Sequence, residues 1–359
     1  MTDSPTSIPP GNALQLSTED SLKNLLIIVF IHGFKGNDET FDQFPERLRH
    51  MLAQSLSFFA IECTVFPAYE TKGDLTAAVA RFVEWLTVLT VEREQGIAGS
   101  AKIVLCGHSM GGLLAADTVL ELANSHPGKD NNALWPNIIA CISFDTPYLG
   151  LHPSVLKNSV TKAAEVMTTA QTLGSSVFGA LAGLSAKKAA DSASSPPSQE
   201  GRTGWGRWAA PAAYAIGGAV LAGAAGSAWH NREDLGQGYQ WVTDHMKFVG
   251  NLWDEKALQK RVDDLIKLDE SRRIVFRTFY TLLPPTPPNY LNSRTFILLP
   301  KMYAPSNTRF LSLRNYLASD EIQAHTGMFS SRTNDGYYEL GMETARIICE
   351  MIGAQEVKI

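Results

Sequence analysis

The chain has 359 residues, 19% of them charged, and a formal net charge of -5 at neutral pH. That balance carries no basic footprint for nucleic acid and no acidic tail, and the length admits one large α/β domain with an insertion. Cys63, Cys106, Cys141 and Cys349 are scattered, with neither the spacing of a zinc site nor that of a disulfide framework, so a reducing, cytoplasmic setting and no metal are expected.

Residues 1–22 contain no Lys or Arg and are rich in Ser, Thr and Pro. They offer neither the cationic start of a secretory signal nor the arginines of a mitochondrial presequence, and are read as a flexible leader. The core then begins at 23. Leu25 to Ile31 is continuously apolar and ends in His32-Gly33-Phe34, the mark of a strand covered on both faces. A helix is expected over 38–56, a strand near Cys63 to Tyr69, and a helix from an Asp74 cap to Val91. The strand 102–106, a helix to about Ala123 and the strand Ile138 to Phe144 follow. Alternation of this kind predicts a doubly wound, mostly parallel sheet with helices on both faces and a ligand site at the carboxyl ends of the strands.

After residue 150 the alternation stops until Ile274 to Tyr280 and Thr295 to Leu299, which are read as two final strands before a helix at about Tyr337 to Ile352. The core is thus expected to occupy 23–150 and 272–359, with 151–271 as a large helical insertion. Within the insertion lie a small-residue helix at about 155–186, a Ser/Pro/Gly-rich linker at about 187–206, and an uncharged run from Ala209 to Trp229. That run has the length of a membrane span, but fourteen of its 21 residues are Ala or Gly, which gain little on entering lipid. Two readings stand side by side: contact with a membrane surface through 155–229, or a soluble helical cap over the site. Disorder is the third.

The sharpest local signal is Gly107-His108-Ser109-Met110-Gly111, placed between an apolar strand and a helix-forming run. A serine lifted from a strand end on a tight turn needs small neighbours two residues before and after it, which is the pattern of a nucleophile elbow. Serine is a poor nucleophile unless a base takes its proton and a carboxylate orients that base. Five histidines follow Ser109, namely His126, His152, His230, His245 and His325. Of these, only His325 falls between the last predicted strand and the last helix, where the base is expected. The acid is assigned to Asp145, at the carboxyl end of the strand beside the elbow strand, with Asp320 or Glu321 as the alternatives. Backbone N–H groups of Phe34 and Met110 are the expected oxyanion donors. His32 is read as a structural hydrogen-bonder, and His108 as packing on the top of the sheet.

Ile31-His32-Gly33-Phe34-Lys35-Gly36, Gly107 to Gly112, Asp145-Thr146-Pro147-Tyr148-Leu149-Gly150 and His325 to Phe329 together resemble the serine esterase and lipase family of α/β-hydrolases, its fungal branch in particular. Lipid-droplet phospholipases and, more distantly, the inositol deacylases of GPI anchors are related to that family. The likeness spans about 25–150 and 272–352 and leaves out the insertion. It implies an α/β-hydrolase fold and a cofactor-free serine ester hydrolase, with Ser109 as nucleophile, His325 as base and an acyl ester or lipid as substrate. Many lipases of the wider group carry Gly or Ser where Asp145 stands and place their acid after a later strand. A soluble small-ester carboxylesterase or thioesterase is the nearest alternative, and a membrane-tethered scaffold without turnover is the alternative of another class.

Overall fold

The computed structural model describes residues 24–34, 36–69, 75–125, 134–155, 252, 254–271 and 274–356. The expected leader, the linker and the Ala/Gly run 209–229 lie outside them, as do His126, His230 and His245.

One sheet organises the described residues. Its parallel strands are β1 (Asn24–Ile31), β2 (Phe59–Val65), β3 (Ala101–His108), β4 (Ile138–Phe144) and β5 (Val275–Leu283), in the order β2-β1-β3-β4-β5. Beyond β5, two further pairings complete the sheet. β6 (Arg294–Thr295) runs antiparallel to the end of β5, and β7 (Phe310–Arg314) runs parallel along it. Leu282 is in register with both Thr295 and Arg314, so β6 and β7 flank β5 on opposite sides. β6 therefore occupies the edge that β4 leaves free after Phe144.

Alternating side chains explain why these strands read as unbroken apolar runs. Leu26, Ile28 and Phe30 of β1, with Val104, Cys106, Ile142 and Phe144, face α1 (Phe44–Ser55) and the closing helix, Tyr337–Glu356. Ile27, Val29 and Ile31, with Ile103, Leu105, Cys141 and Phe276, face α2 (Leu75–Glu94), α3 (Met110–Asn124) and α4 (Glu255–Glu270). Both faces are covered from Leu26 to Ile31, so a polar side chain there would be buried without a partner. Among the described residues, two further α-helices follow in chain order, α5 (Glu321–Thr326) and the closing helix, α6 (Tyr337–Glu356).

Four expectations are corrected. Helix α1 starts at Phe44, not 38, because Asp42 has φ 47° and Pro45, which has no N–H to give, sits in the first turn. Strand β2 ends at Val65, short of Tyr69, with Pro67 unable to donate to a ladder. The expected strand 295–299 is reduced to Arg294–Thr295, and the last parallel strand is β7. Finally, 255–270 is no part of a cap: α4 puts Leu258, Val262, Leu265 and Ile266 into the core, and Arg261 of α4 pairs with Asp117 of α3. Its spacing of buried residues at i, i+4, i+7 and i+8 is the stripe that a sheet-covering helix needs.

Candidate active site

Ser109 stands between β3 and α3 with φ 55° and ψ -128°, a backbone conformation outside the regions a serine favours. Tight packing holds it there. A Cβ on Gly107 would lie 2.5 Å from the carbonyl oxygen of Gly111, and one on Gly111 would overlap the carbonyl oxygen of Ile31. Removing side chains at those two positions lets α3 press against the ends of β1 and β3, and the ladder continues through the turn as Ser109 N–H donates to Phe144 O at 3.0 Å. The hydroxyl is thereby presented at the carboxyl edge of the sheet.

At that same edge the next strand delivers the acid. Asp145 follows β4 directly, is fully buried and has φ 49°, a left-handed conformation that Asp tolerates better than most residues. Its carboxylate does not stand alone. Oδ1 accepts the N–H of Thr281 on β5 at 3.2 Å, and Oδ2 lies 2.9 Å from His325 Nδ1. His325 Nε2 is in turn 3.0 Å from Ser109 Oγ. A carboxylate can only accept, so the ring proton sits on Nδ1, and Nε2 is left to accept from the serine hydroxyl. The three residues come from positions 216 and 180 apart in sequence along the His325 contacts, and only the fold joins them.

His325 is carried on α5, a six-residue helix capped by Asp320, whose Oδ1 accepts Gln323 N–H at 2.8 Å. Its imidazole is held between two rings. Phe296, just past β6, stacks on it with centroids 3.7 Å apart and planes at 13°; His108 stacks at 4.5 Å and 29°. Two nearly parallel rings at those distances cannot share a face, so they cover opposite ones. His108 thus does more than pack on the sheet. Its Nε2–H donates to the carbonyl of His325 at 3.1 Å, and burial first, then the neighbouring His325, holds its pKa well below the usual histidine value. A neutral ring beside the base adds no positive charge to compete with the imidazolium that the base must become. Beneath them Phe329 meets Phe41, Phe44, Phe144 and His108 with centroids 4.9 to 5.3 Å apart, which anchors the chain just after α5.

The remaining sequence candidates divide clearly. Met110 opens α3, where the first amides of a helix have no carbonyl four residues back. Phe34 is adjacent: a Cβ on its neighbour Gly33 would come within 2.6 Å of Ser109 Cβ and 3.1 Å of Met110 N. His32 is buried, stacks on Tyr69 and has its pKa lowered by burial; it makes no contact with Ser109 and holds the loop through Nδ1 at 3.0 Å from Gly33 O. Asp320 is spent on its cap and Glu321 on Ser154 and Arg294, so neither competes with Asp145 for His325 Nδ1. Sequence reading missed Thr281, Phe296 and the partnership of His108. The position of His108 inside the elbow pattern was the one signal available for any of them.

Residues 21–195 match the sequence family described as "Putative serine esterase (DUF676)", a stretch that includes Phe34, Ser109, Met110 and Asp145 but not His325. Comparison with curated proteins gave no match. Similar solved structures include a carboxylesterase of the ammonia-oxidizing thaumarchaeon Nitrososphaera gargenis, at 13% identity over 90% of this chain and 91% of that chain, TM-score 0.37. The peroxisomal α/β-hydrolase Lpx1 of Saccharomyces cerevisiae is similar at 10% identity over 90% and 78%, TM-score 0.37. Phospholipase PlaB of Legionella pneumophila is similar at 14% identity over 35% of this chain, TM-score 0.29, and the match spans only 26% of that chain. An open parallel sheet with helices on both faces and a serine raised between β3 and α3 is the α/β-hydrolase fold, and over residues 21–195 this chain matches a family of serine esterases.

Proposed function

We propose that the protein hydrolyses carboxylic esters, acyl lipids foremost, through an acyl-enzyme on Ser109. The observation that carries this reading is the unbroken hydrogen-bonded series from Ser109 Oγ through His325 to Asp145 at the carboxyl edge of the sheet. Ser109 Oγ attacks the ester carbonyl as its proton passes to His325 Nε2, and Asp145 holds the resulting imidazolium. The N–H groups of Met110 and Phe34 receive the oxyanion; one such donor typically contributes about 3 kcal/mol in the transition state. On collapse of the tetrahedral adduct the C–O bond to the alcohol breaks, and His325 returns the proton to that oxygen. Water then repeats the sequence on the acyl-serine, which releases the acid and restores the hydroxyl.

The lipid part of the reading is supported by large apolar side chains left exposed in the chain segments that carry Phe296 and His325. Leu291, Met302 and Tyr303, in the segments flanking Phe296, are 75%, 75% and 94% exposed, and Leu317 and Ile322 are exposed beside the start of α5. Exposed apolar side chains in those segments suit a greasy substrate better than a small polar ester. The Ala/Gly run 209–229 is the segment proposed to touch a membrane. Among the described residues no helix is long and apolar enough to cross one. The four cysteines are unpaired, in keeping with action in a reducing, cytoplasmic setting.

Turnover of p-nitrophenyl esters from acetyl to palmitoyl, presented in mixed micelles, tests both parts. Ser109→Ala is expected to lower kcat by ~10⁴-fold or more on every ester, and kcat/KM of the wild type is expected to rise with chain length. Deleting 187–229 should flatten that rise or reduce partitioning onto vesicles, with acetyl ester turnover retained. A wild-type profile that falls beyond butyryl would point to a small-ester carboxylesterase, and turnover retained in Ser109→Ala would remove the serine mechanism.

A further inference from the structure

A second set of polar groups, none of them in the proposed machinery, is buried one helical turn from the base. Glu321 opens α5 four residues before His325, so the two side chains share a face of the same short helix. Its carboxylate is 1% exposed and has two partners from elsewhere in the chain. Arg294 of β6 donates from Nη1 to Oε2 at 3.2 Å, and Ser154 Oγ donates to Oε1 at 2.9 Å. Ser154 is also tied to His152, whose Nδ1 accepts the Ser154 backbone N–H at 3.3 Å and lies 2.7 Å from Ser154 Oγ. The Arg294 guanidinium carbon lies over the Tyr290 ring, 3.7 Å from its centroid, which gives the cation a further partner.

These contacts converge on Phe296 and on α5. Phe296 is two residues beyond Arg294, and its carbonyl accepts the N–H of His152 at 2.9 Å; Leu298 N–H donates to Gly150 O at 2.9 Å. Segment 150–154 is therefore tied both to the segment that carries Phe296 and to the helix that carries His325. A six-residue helix has too few internal hydrogen bonds to hold its own orientation. We propose that Glu321, bridged by Arg294 and Ser154, is a positioning residue that keeps α5 seated so that His325 stays within reach of Ser109 and Asp145 together. The inference rests on the role given to His325 in the proposed function. A displacement of about 1 Å at a base is enough to lower turnover by up to ~100-fold without weakening substrate binding.

The test compares Ser154→Ala, Glu321→Gln and the double variant with the wild type on an acetyl ester, with rates normalised to serine titrated by a fluorophosphonate. The expected result is KM within about twofold of wild type and kcat lowered about tenfold in Ser154→Ala and further, to ~100-fold, in Glu321→Gln. The double variant should be no worse than Glu321→Gln alone, because both act through one link. The low-field proton resonance of His325 Nδ1–H, shared with Asp145, should broaden or move in both. Ser154→Ala leaves the Arg294–Glu321 pair in place, so it reports even where Glu321→Gln folds poorly. Wild-type kcat and an unmoved resonance in Ser154→Ala, or strictly additive effects, would overturn the proposal. Failure of the wild type to react with the probe would instead remove the hydrolase reading, and this one with it.

Discussion

Asp145 combines a left-handed backbone with a carboxylate sealed from solvent, and each feature explains the other. The turn brings Oδ1 under Thr281 N–H and leaves Oδ2 facing His325 Nδ1. Asn at this position would keep the shape and reverse the chemistry. With its oxygen on the Thr281 amide, its NH2 group faces His325 Nδ1 and forces the ring proton onto Nε2, where Ser109 needs an acceptor. Asp145→Asn is therefore expected to lower kcat by about 10³- to 10⁴-fold with the fold intact by circular dichroism, and Asp320→Asn to stay within about twofold. The opposite ranking would transfer the acid to the loop before α5. Ser109, Asp145 and His325 were legible in sequence because each is marked by position: a glycine-framed turn, a strand end, the last loop before the last helix. Phe296, Thr281 and Glu321 carry no such mark. What they do depends on partners that only the fold brings near: Thr281 and Asp145 are 136 residues apart, Glu321 and Ser154 are 167 apart, and Phe296 meets His325 from just past β6.

At the scale of elements, complete burial on two faces made β1, β3 and β4 readable, and partial burial on both hid β7. In β7 only Phe310 and Leu313 are buried, and exposed Ser312 and Arg314 interrupt the apolar run. Thr295 to Leu299 is more continuously apolar, yet past Thr295 it crosses to segment 150–152 instead of extending the sheet: Ile297 bridges Leu151 and Leu298 N–H reaches Gly150 O. Continuous hydrophobicity here marks a covered crossing, not a strand. Helix α4 falls within 151–271, the stretch that sequence reading gives to the insertion. Its four buried residues seat it on the sheet beside β5, and the Arg261–Asp117 pair ties it to α3. Leu265, 1% exposed, lies in that seat. Leu265→Ala is expected to lower unfolding free energy in urea by about 2–5 kcal/mol with acetyl ester kcat per folded molecule unchanged. Destabilisation below about 0.5 kcal/mol, the range of surface substitutions, would mean that α4 is not a core helix.

Across the whole molecule, one parallel sheet brings three distant segments to a common edge, and every group in the proposed reaction belongs to a turn just beyond a strand or to α5. Among the described residues the core on both faces of the sheet comes from 24–155 and 252–352. The proposed reading assigns the chemistry to the sheet edge and contact with a lipid surface to the insertion. What unites the account is that burial, stacking and a carboxylate hold an imidazole against a serine hydroxyl. Intact-mass spectrometry after brief exposure to a fluorophosphonate measures that directly. The wild type is expected to gain one adduct, mapped to Ser109, with none in Ser109→Ala and a rate at least ~10³-fold slower in His325→Ala. A folded wild type that gains no adduct, or His325→Ala reacting at the wild-type rate, would contradict it.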